Sequence, residues 1–242
     1  MTLDSLSIPA LTAEQMREVD RLMVEDYGIQ LLQMMENAGR NLAELARRWL
    51  GGSVSEKHLV VAIGKGNNGG GGMTAARHLS NWGAKVTVLS ESEAFSGVPH
   101  IQWKTLKRLP IEKKLSETAI EFLAKRQGDL FIDSLIGYSL SGPPRGWVAR
   151  LIETINAQNI PVIALDIPSG LNPTTGAVYQ PCIRATATMT LALPKVGLIQ
   201  PRVKDVVGTL YLADIGVPDA LYKQLGINVG SIFVHDTIIP LT

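Results

Sequence analysis

The apolar and polar residues of the chain alternate between a helical spacing and short, almost wholly apolar runs. Thr12 and Gln15 have the spacing of a capping box at the start of a helix. The apolar positions that follow recur at helical spacing and are Met16, Val19, Leu22 and Met23. This pattern predicts a first helix that Gly28 can end.

A second amphipathic helix is predicted from about Leu31 to Trp49. Its apolar face is expected to carry Leu32, Met35, Leu42 and Leu45. Because both helices precede the first strand, they are expected either to cover an edge of a sheet or to form a dimer surface.

The apolar run His58–Ile63 is typical of a strand that is buried on both faces, and so indicates a parallel sheet. Met73–Trp82 is predicted to be a helix that ends at Gly83. Lys85–Leu89 is rich in β-branched residues and is predicted to be the next strand. Together these segments form a βαβ unit.

The alternation of helices and strands continues to the end of the chain. The remaining predicted elements are a mostly helical region from about Pro99 to Lys125, a strand at Leu130–Ile132, a helix at Trp147–Ala157, strands at Pro161–Leu165, Thr186–Leu193 and Thr209–Ala213, and a late apolar run at Ser231–Val234. This order predicts an α/β fold with three layers, α/β/α, around a mostly parallel sheet. Without a linker-like stretch, residues 1–242 are predicted to be one domain, with the helices of residues 12–49 packed on its core.

Composition narrows the class of protein. The chain is 45% hydrophobic and 19% charged, which favours a well-packed globular core. Its net charge is +1 and its basic residues are scattered, so nucleic-acid and membrane-surface binding are not expected. It carries no signal-peptide pattern and no apolar run of about 20 residues, which favours a cytoplasmic protein. Its single cysteine, Cys182, excludes an intramolecular disulfide and is expected to be a small buried residue.

Three polar groups follow predicted strands. They are the glycine-rich segment Gly64–Gly72, Asp133 with the loop Gly137–Gly142, and Asp166–Gly170. Ligands bind beyond the carboxyl ends of parallel strands, so these groups are expected around one pocket.

Gly64, Gly66 and Gly69 have the spacing of a dinucleotide-binding fingerprint. Such glycines let backbone N–H groups approach a phosphate, although a plain strand-to-helix turn is an alternative. Asn67 and Asn68 are either turn residues or amides that are presented to a ligand or an ion.

Asp133 and Asp166 each follow an apolar strand, where a carboxylate either caps the next turn or belongs to a site. Two such aspartates at one sheet edge favour a site, in which a carboxylate can act as general acid or base. Asp133, Asn68 and Ser169 offer hard oxygen ligands, which suit an alkali or alkaline-earth cation.

Several separated motifs occur together in one order. They are Met35–Gly39, Gly66–Gly70, Asp133 with its glycine-bearing loop, Asp166–Asn172, Lys195–Leu198 and Asp214–Pro218. In this combination the chain resembles the YjeF N-terminal domain family, the NAD(P)HX epimerases, from about Leu11 to Pro218.

The resemblance implies a Rossmann-like fold, a homodimer, and interconversion of the R and S epimers of hydrated NADH and NADPH with a bound potassium ion. It also implies the ligand contacts Asn67, Asn68, Gly69, Gly70, Gly71, Gly137, Tyr138, Ser139, Leu140, Ser141, Gly142, Pro143 and Asp166. Potassium would be held by Asn68, Asp133 and Ser169. The family is often fused to a dehydratase, so a dehydratase on a separate polypeptide is a possible partner.

Asp166 is predicted to act as a general acid when the C6 hydroxyl leaves the hydrated nicotinamide ring. It is predicted to act as a general base when water returns on the other face of the ring. Lys195 either assists this step electrostatically or is a solvent-exposed lysine at a strand end.

The chain departs from the family at Gly71, where the family has aspartate. An aspartate at the entry of a helix starting at Met73 would cap it, so glycine there is expected to preserve folding. This departure leaves open a non-catalytic nucleotide-binding or interaction module of the same fold. A further alternative is an NAD-dependent oxidoreductase, because Glu91 follows the fingerprint at about the spacing of a ribose-binding acid.

Overall fold

The structure is a computed structural model that describes residues 8–125 and 127–241. Its strands are β1 (His58–Ile63), β2 (Lys85–Ser90), β3 (Glu112–Leu115), β4 (Leu130–Ser134), β5 (Val162–Leu165), β6 (Ala187–Leu191), β7 (Thr209–Ala213) and β8 (Ile238–Pro240). Across these described ranges, eight strands form one sheet in the order β3-β2-β1-β4-β5-β6-β7-β8. Every pairing is parallel except that of β7 with β8, which confirms the predicted fold class.

Helices cover both faces of the sheet. They are α1 (Ala13–Glu25), α2 (Leu31–Trp49), α3 (Asn67–Asn81), α4 (Gly97–Leu106), α5 (Glu117–Ala124), α6 (Gly146–Asn156), α7 (Lys204–Val207) and α8 (Asp219–Gln224). One apolar cluster joins the sheet to α2, α3 and α4, and another joins its opposite face to α5 and α6. A third cluster packs α1 against α2 and α8. The predicted three layers are confirmed. The prediction of one domain over 1–242 also includes residues 1–7, 126 and 242, which lie outside the described residues.

The first two helices form as predicted. Thr12 Oγ1 accepts a hydrogen bond from the Gln15 amide at 3.2 Å, and Gln15 Oε1 accepts one from the Thr12 amide at 2.9 Å. The assignment of Leu32 to the buried face of α2 was wrong: its side chain is 39% exposed, and Met34 is buried instead. Helix α2 lies on a face of the sheet beside α3, not over an edge.

Helix α3 begins at Asn67, six residues before the predicted start at Met73. Glycine is a poor helix former, so propensity alone places this segment in a loop. Close packing nevertheless requires glycine within this helix, because a Cβ on Gly69 would lie 1.9 Å from the Gly64 carbonyl oxygen. The helix is capped at Gly66, so Gly71 is an interior position and the interpretation of it as a capping site was wrong.

Two edge elements were missed in the sequence. Strand β3 lies inside the region predicted to be helical, and its Glu112-Lys-Lys-Leu115 sequence lacks the apolar run of a buried strand. Charged residues on an edge strand are common because they discourage pairing with other chains. At the other end, the short strand β8 follows the apolar run Ser231–Val234, which forms no strand itself.

The strand order creates a crevice between β1 and β4. After β1 the chain adds β2 and β3 on one side, and then returns to β4 on the other side. The connections after β1 and β4 therefore diverge at their carboxyl ends, which is where open α/β sheets bind ligands. Among the described residues, no helix has the length and hydropathy needed to cross a bilayer.

Candidate functional site

A cavity of about 460 Å³ opens at the carboxyl ends of the central strands. Of the residues predicted to form the site, it is lined by Asn67, Asn68, Gly71, Gly137, Tyr138, Ser139, Asp166 and Lys195. The strand order thus gathers residues that lie about a hundred positions apart in the sequence. Their roles stay predictions.

The other predicted site residues do not line this cavity. Gly69 and Gly70 pack inside the structure, where a Cβ on Gly70 would lie 2.7 Å from Met35 Sδ. The predicted contacts beyond Ser139 continue along the loop and are Leu140, Ser141, Gly142 and Pro143. Asp133 and Ser169 are buried without lining the cavity.

Asp166 directly follows β5 and has a φ of 65°, a left-handed conformation that is uncommon for residues other than glycine. Its amide donates to the Met189 carbonyl at 2.8 Å, which continues the β5–β6 ladder past the end of β5. The backbone therefore turns at Asp166 while its amide remains fixed to β6.

The Asp166 carboxylate is held through one oxygen. Oδ1 accepts hydrogen bonds from Lys195 Nζ, from the Leu191 amide at 3.3 Å and from Thr190 Oγ1 at 3.4 Å. For Oδ2, no hydrogen-bond partner is found in the described ranges, and this oxygen is not fully buried. Because Asp166 lines the cavity, Oδ2 is the oxygen available to a ligand.

Lys195 is fully buried, so its interpretation as a solvent-exposed lysine was wrong. Its ammonium forms an ion pair with Asp166 and also donates to the Leu191 carbonyl at 2.8 Å. A buried charge requires such partners because leaving water is costly. The chain before α1 holds the backbone here: the Leu11 amide donates to Pro194 O at 2.8 Å, and the Val196 amide donates to Leu11 O at 3.0 Å.

Asp133 lies in β4 and is completely buried. Its carboxylate accepts three hydrogen bonds, from the Ser169 amide at 2.8 Å, from Ser169 Oγ at 2.7 Å and from the Leu135 amide at 3.1 Å. Burial nevertheless raises the pKa of Asp133 from 3.8 to about 6, because these donors carry no full charge. Its carboxylate forms no ion pair with any described residue.

Asn68, the third predicted metal ligand, lies beside Gly137 of the loop after β4. Its Nδ2 donates to Leu165 O at 3.2 Å, and its Oδ1 would lie 3.3 Å from a Cβ on Gly137. Asp133 and Ser169 are in direct contact, whereas Asn68 contacts the adjoining segments. No group of three His, Cys, Asp or Glu side chains suited to a metal occurs in residues 8–125 and 127–241. The predicted metal ligands are one carboxylate, Asp133, and the neutral oxygens of Asn68 and Ser169.

The sequence analysis missed the apolar wall of the cavity. This wall is formed by Met16, Leu31, Met34, Met35, Ala38, Leu135, Ile136, Leu165, Leu191 and Ile215. Met16 and Met35 were predicted on apolar helix faces, and Leu165 and Leu191 in strands. The distinction between core and cavity is not encoded in periodicity, because both require apolar side chains.

Asp20 is the polar site residue that the sequence analysis missed. It lies four residues after Met16 and three before Met23, on the apolar face of α1. A carboxylate on a buried helix face was the available signal. Tyr138 Oη donates a hydrogen bond to Asp20 Oδ2, and burial raises the pKa of the Asp20 carboxyl group.

Cys182 and Glu91 both lie outside the cavity lining. Cys182 is buried as predicted, and burial raises the pKa of its thiol to about 12, which makes it a poor nucleophile. Glu91 does not line the cavity, and its carboxylate pairs with Lys65 Nζ at 2.6 Å on the surface.

The chain matches a known protein family. The family described as YjeF-related protein N-terminus matches residues 31–197. An NAD(P)H-hydrate epimerase of Dehalogenimonas lykanthroporepellens is 40% identical over 245 residues, which span 100% of this chain and 96% of the relative. A bifunctional NAD(P)H-hydrate repair enzyme, Nnr, of Moorella thermoacetica is 36% identical over 90% of this chain, but only 42% of that longer protein is covered.

A solved structure extends the similarity to the fold. The crystal structure of yeast YNL200c matches with a TM-score of 0.83 and 26% sequence identity. The match covers 97% of this chain and 100% of the yeast chain.

Proposed function

Because this chain belongs to the family of YjeF-related protein N-termini, we propose that it epimerises the R and S forms of hydrated NADH and NADPH in nicotinamide nucleotide repair. This activity is that of an isomerase. The observation that carries the proposal is the free Oδ2 of Asp166 at the cavity, with the opposite oxygen of the same carboxylate bound to Lys195.

The reaction requires the C6 hydroxyl to leave and water to return on the other face. As Asp166 donates a proton to the hydroxyl, the C6–O bond breaks, the ring nitrogen lone pair forms a C=N bond, and water is released. When water adds to the opposite face, it gives a proton back to Asp166, and the C=N electrons return to nitrogen. Lys195 orients the carboxylate and supplies positive charge beside it.

The two ends of the ligand require different surroundings. The apolar wall of the cavity suits the hydrated nicotinamide ring, since apolar surface excludes water from the reacting carbon. The amino terminus of α3 suits the phosphates, because its first N–H groups lack partners within the helix. The predicted contacts at Asn67–Gly71 and Gly137–Pro143 remain part of this proposal.

The proposed potassium site consists of Asp133, Ser169 and Asn68. The donor set fits this ion, because all the donor atoms are oxygens and the buried carboxylate has no cationic partner among the described residues. A bound potassium ion would neutralise Asp133 and hold the loop after β4. No step of the proposed reaction passes through the ion.

The decisive experiment separates the two epimers chromatographically after incubation with the purified chain, in potassium and in sodium buffers. The wild-type protein is expected to equilibrate them, and Asp166→Asn to be slower by about 10²–10⁴-fold. Asp205→Asn, at an exposed position, is the matched control and is expected to retain full activity. Full activity of Asp166→Asn would contradict the proposed role.

A non-catalytic module is the second candidate, and Gly71 is the observation that favours it. Gly71 lines the cavity, and the resemblance to the family implies aspartate at this position. If the wild-type chain binds the nucleotide without epimerising it while Gly71→Asp gains activity, this second candidate is correct. Activity in the wild-type chain excludes it.

The proposal extends to one domain over residues 1–242, a homodimer, a cytoplasmic location and cooperation with a separate dehydratase. The bifunctional relatives support cooperation with a second repair activity. Light scattering during size-exclusion chromatography tests the dimer. A single monomeric mass would contradict it.

A further inference from the structure

A second carboxyl group lines the same cavity as Asp166. Asp20 projects from α1, and Tyr138 comes from the loop after β4; both residues line the cavity. Tyr138 Oη donates to Asp20 Oδ2, which joins two segments that are 118 residues apart in the sequence. In the epimerisation proposed for Asp166, neither of these two side chains transfers a proton.

Each of the two carboxyl groups has one oxygen without a hydrogen-bond partner. Asp20 Oδ1 has no such partner among the described residues, and it is not fully buried. Asp166 Oδ2 has the same status. Each carboxyl group therefore has one anchored oxygen and one available oxygen, and the two project from separate elements.

The surroundings of the two groups differ in charge. Asp166 pairs directly with the Lys195 ammonium, whereas Asp20 is anchored by a neutral phenol. The charged groups that face Asp20 are Lys195 and Asp166, and Arg17 faces Tyr138. Burial, the largest influence, and the negative charge of Asp166 both raise the pKa of Asp20. Two carboxyl groups in unlike surroundings are suited to the opposite tasks of acid and base.

We propose that Asp20, oriented by Tyr138, is a second proton-transfer group of this cavity, so that Asp20 and Asp166 handle protons on the two faces of the substrate. This inference rests on the proposed epimerisation. In one direction the Asp20 carboxylic acid gives its proton to the C6 hydroxyl, the C6–O bond breaks, and the ring nitrogen forms a C=N bond as water leaves.

A water molecule then adds to the other face of C6 and gives its proton to the Asp166 carboxylate, while the C=N electrons return to nitrogen. One proton has moved from Asp20 to Asp166. The reverse turnover returns it, and proton exchange with solvent water resets the two carboxyl groups between turnovers in the same direction. Atoms and electrons balance without any other reactant. A two-group arrangement also removes the need for one carboxylate to reach both faces of the ring.

The test measures kcat and KM for epimerisation in Asp20→Asn and Tyr138→Phe. Asp20→Asn preserves an acceptor for the phenol but cannot transfer a proton, so kcat is expected to fall about 10²-fold or more with little change in KM. Tyr138→Phe removes one orienting hydrogen bond, and roughly a tenfold loss of kcat is expected. Glu14→Gln, an exposed substitution on the same helix, is the control and is expected to behave like the wild-type protein.

Chemical rescue separates proton transfer from a structural role. Asp20→Ala leaves space beside Tyr138, and added formate is expected to restore part of kcat, with thermal unfolding recorded to verify folding. The proposal is overturned if Asp20→Asn keeps its kcat while Tyr138→Phe raises only KM, because the pair would then merely hold the loop. It is also overturned if formate leaves Asp20→Ala unchanged. An inactive wild-type protein would instead overturn the proposed epimerisation, and this inference with it.

Discussion

Asp133 and Asp166 lie at the carboxyl ends of neighbouring strands and are both buried, yet their surroundings have little in common. Asp133 receives three hydrogen bonds from uncharged donors and forms no ion pair with a described residue. Asp166 has a lysine ammonium on one oxygen and the cavity beside the other. Burial alone therefore does not define the task of a carboxylate. The charge of its partners and the access of a ligand do.

The largest expected effect concerns the ion pair. Asp166→Asn leaves the Lys195 ammonium buried without a counter-charge, and we expect it to lower the free energy of unfolding by about 3–5 kcal/mol. Adding Lys195→Met is expected to recover most of this loss, since the charge is then absent. Urea denaturation of both variants measures the difference. A double variant no more stable than Asp166→Asn would contradict the importance of the pair.

Asp133 is expected to make stability depend on pH in potassium-free buffer. Its pKa is raised to about 6 in the folded protein from 3.8, so the folded state binds the proton more tightly. Its contribution is fully present below about pH 4 and is lost as the pH rises through 6, a change of about 3 kcal/mol. Denaturation of the wild-type protein and of Asp133→Asn across this range tests it. Parallel pH profiles for the two proteins would contradict the prediction.

Potassium should distinguish the two aspartates at neutral pH. If Asp133 and Ser169 hold the ion, saturation at a hundred times its dissociation constant stabilises the protein by about 2.7 kcal/mol. We expect thermal shifts in potassium chloride for the wild-type protein and for Asp166→Asn, but none for Asp133→Asn. Choline chloride at equal ionic strength is the control. An equal shift in Asp133→Asn would exclude this site.

The smallest effect is expected at Gly71, which lines the cavity. A Cβ on Gly71 would lie 2.8 Å from Leu165 Cδ2, the tip of a flexible side chain, and alanine also favours the helix. Gly71→Ala is expected to change stability by less than about 1 kcal/mol. Gly72→Ala is the matched comparison, because its Cβ would lie 1.9 Å from Ser134 Oγ, and it is expected to cost about 1–3 kcal/mol. Thermal unfolding measures both. Equal losses would contradict the difference in packing.

Regular periodicity made the central elements predictable. The capping box at Thr12 and the apolar strand His58–Ile63 each rest on local sequence alone, and both were located correctly. The early start of α3 was not predictable by propensity, because the close approach of Gly69 to Gly64 requires a residue that disfavours a helix. Strand β3 was missed because an edge strand with charged residues carries no apolar signal.

The positions of the two aspartates in the site were predictable from the fold class, whereas those of Lys195 and Asp20 were not. Parallel strands place Asp133 and Asp166 at one edge in any sheet in which β4 and β5 are neighbours, so their proximity follows from the fold class. The burial of Lys195 depends on the segment at Leu11, which pairs with it from far away in the sequence. Asp20 faces the cavity only because α1 packs across the strand ends. Such contacts between distant segments leave no mark on either segment alone.

The glycines at the start of α3 and just before it make this segment sensitive to substitution. Where the Gly64, Gly69 and Gly72 backbone approaches other atoms, every missense codon adds a side chain, so no conservative replacement exists. Alanine scanning, which looks for function lost with deleted atoms, would here report the effect of inserted ones. Random mutagenesis should therefore find Gly64, Gly69 and Gly72 among the least tolerant positions of the chain, although none of them contributes a side chain.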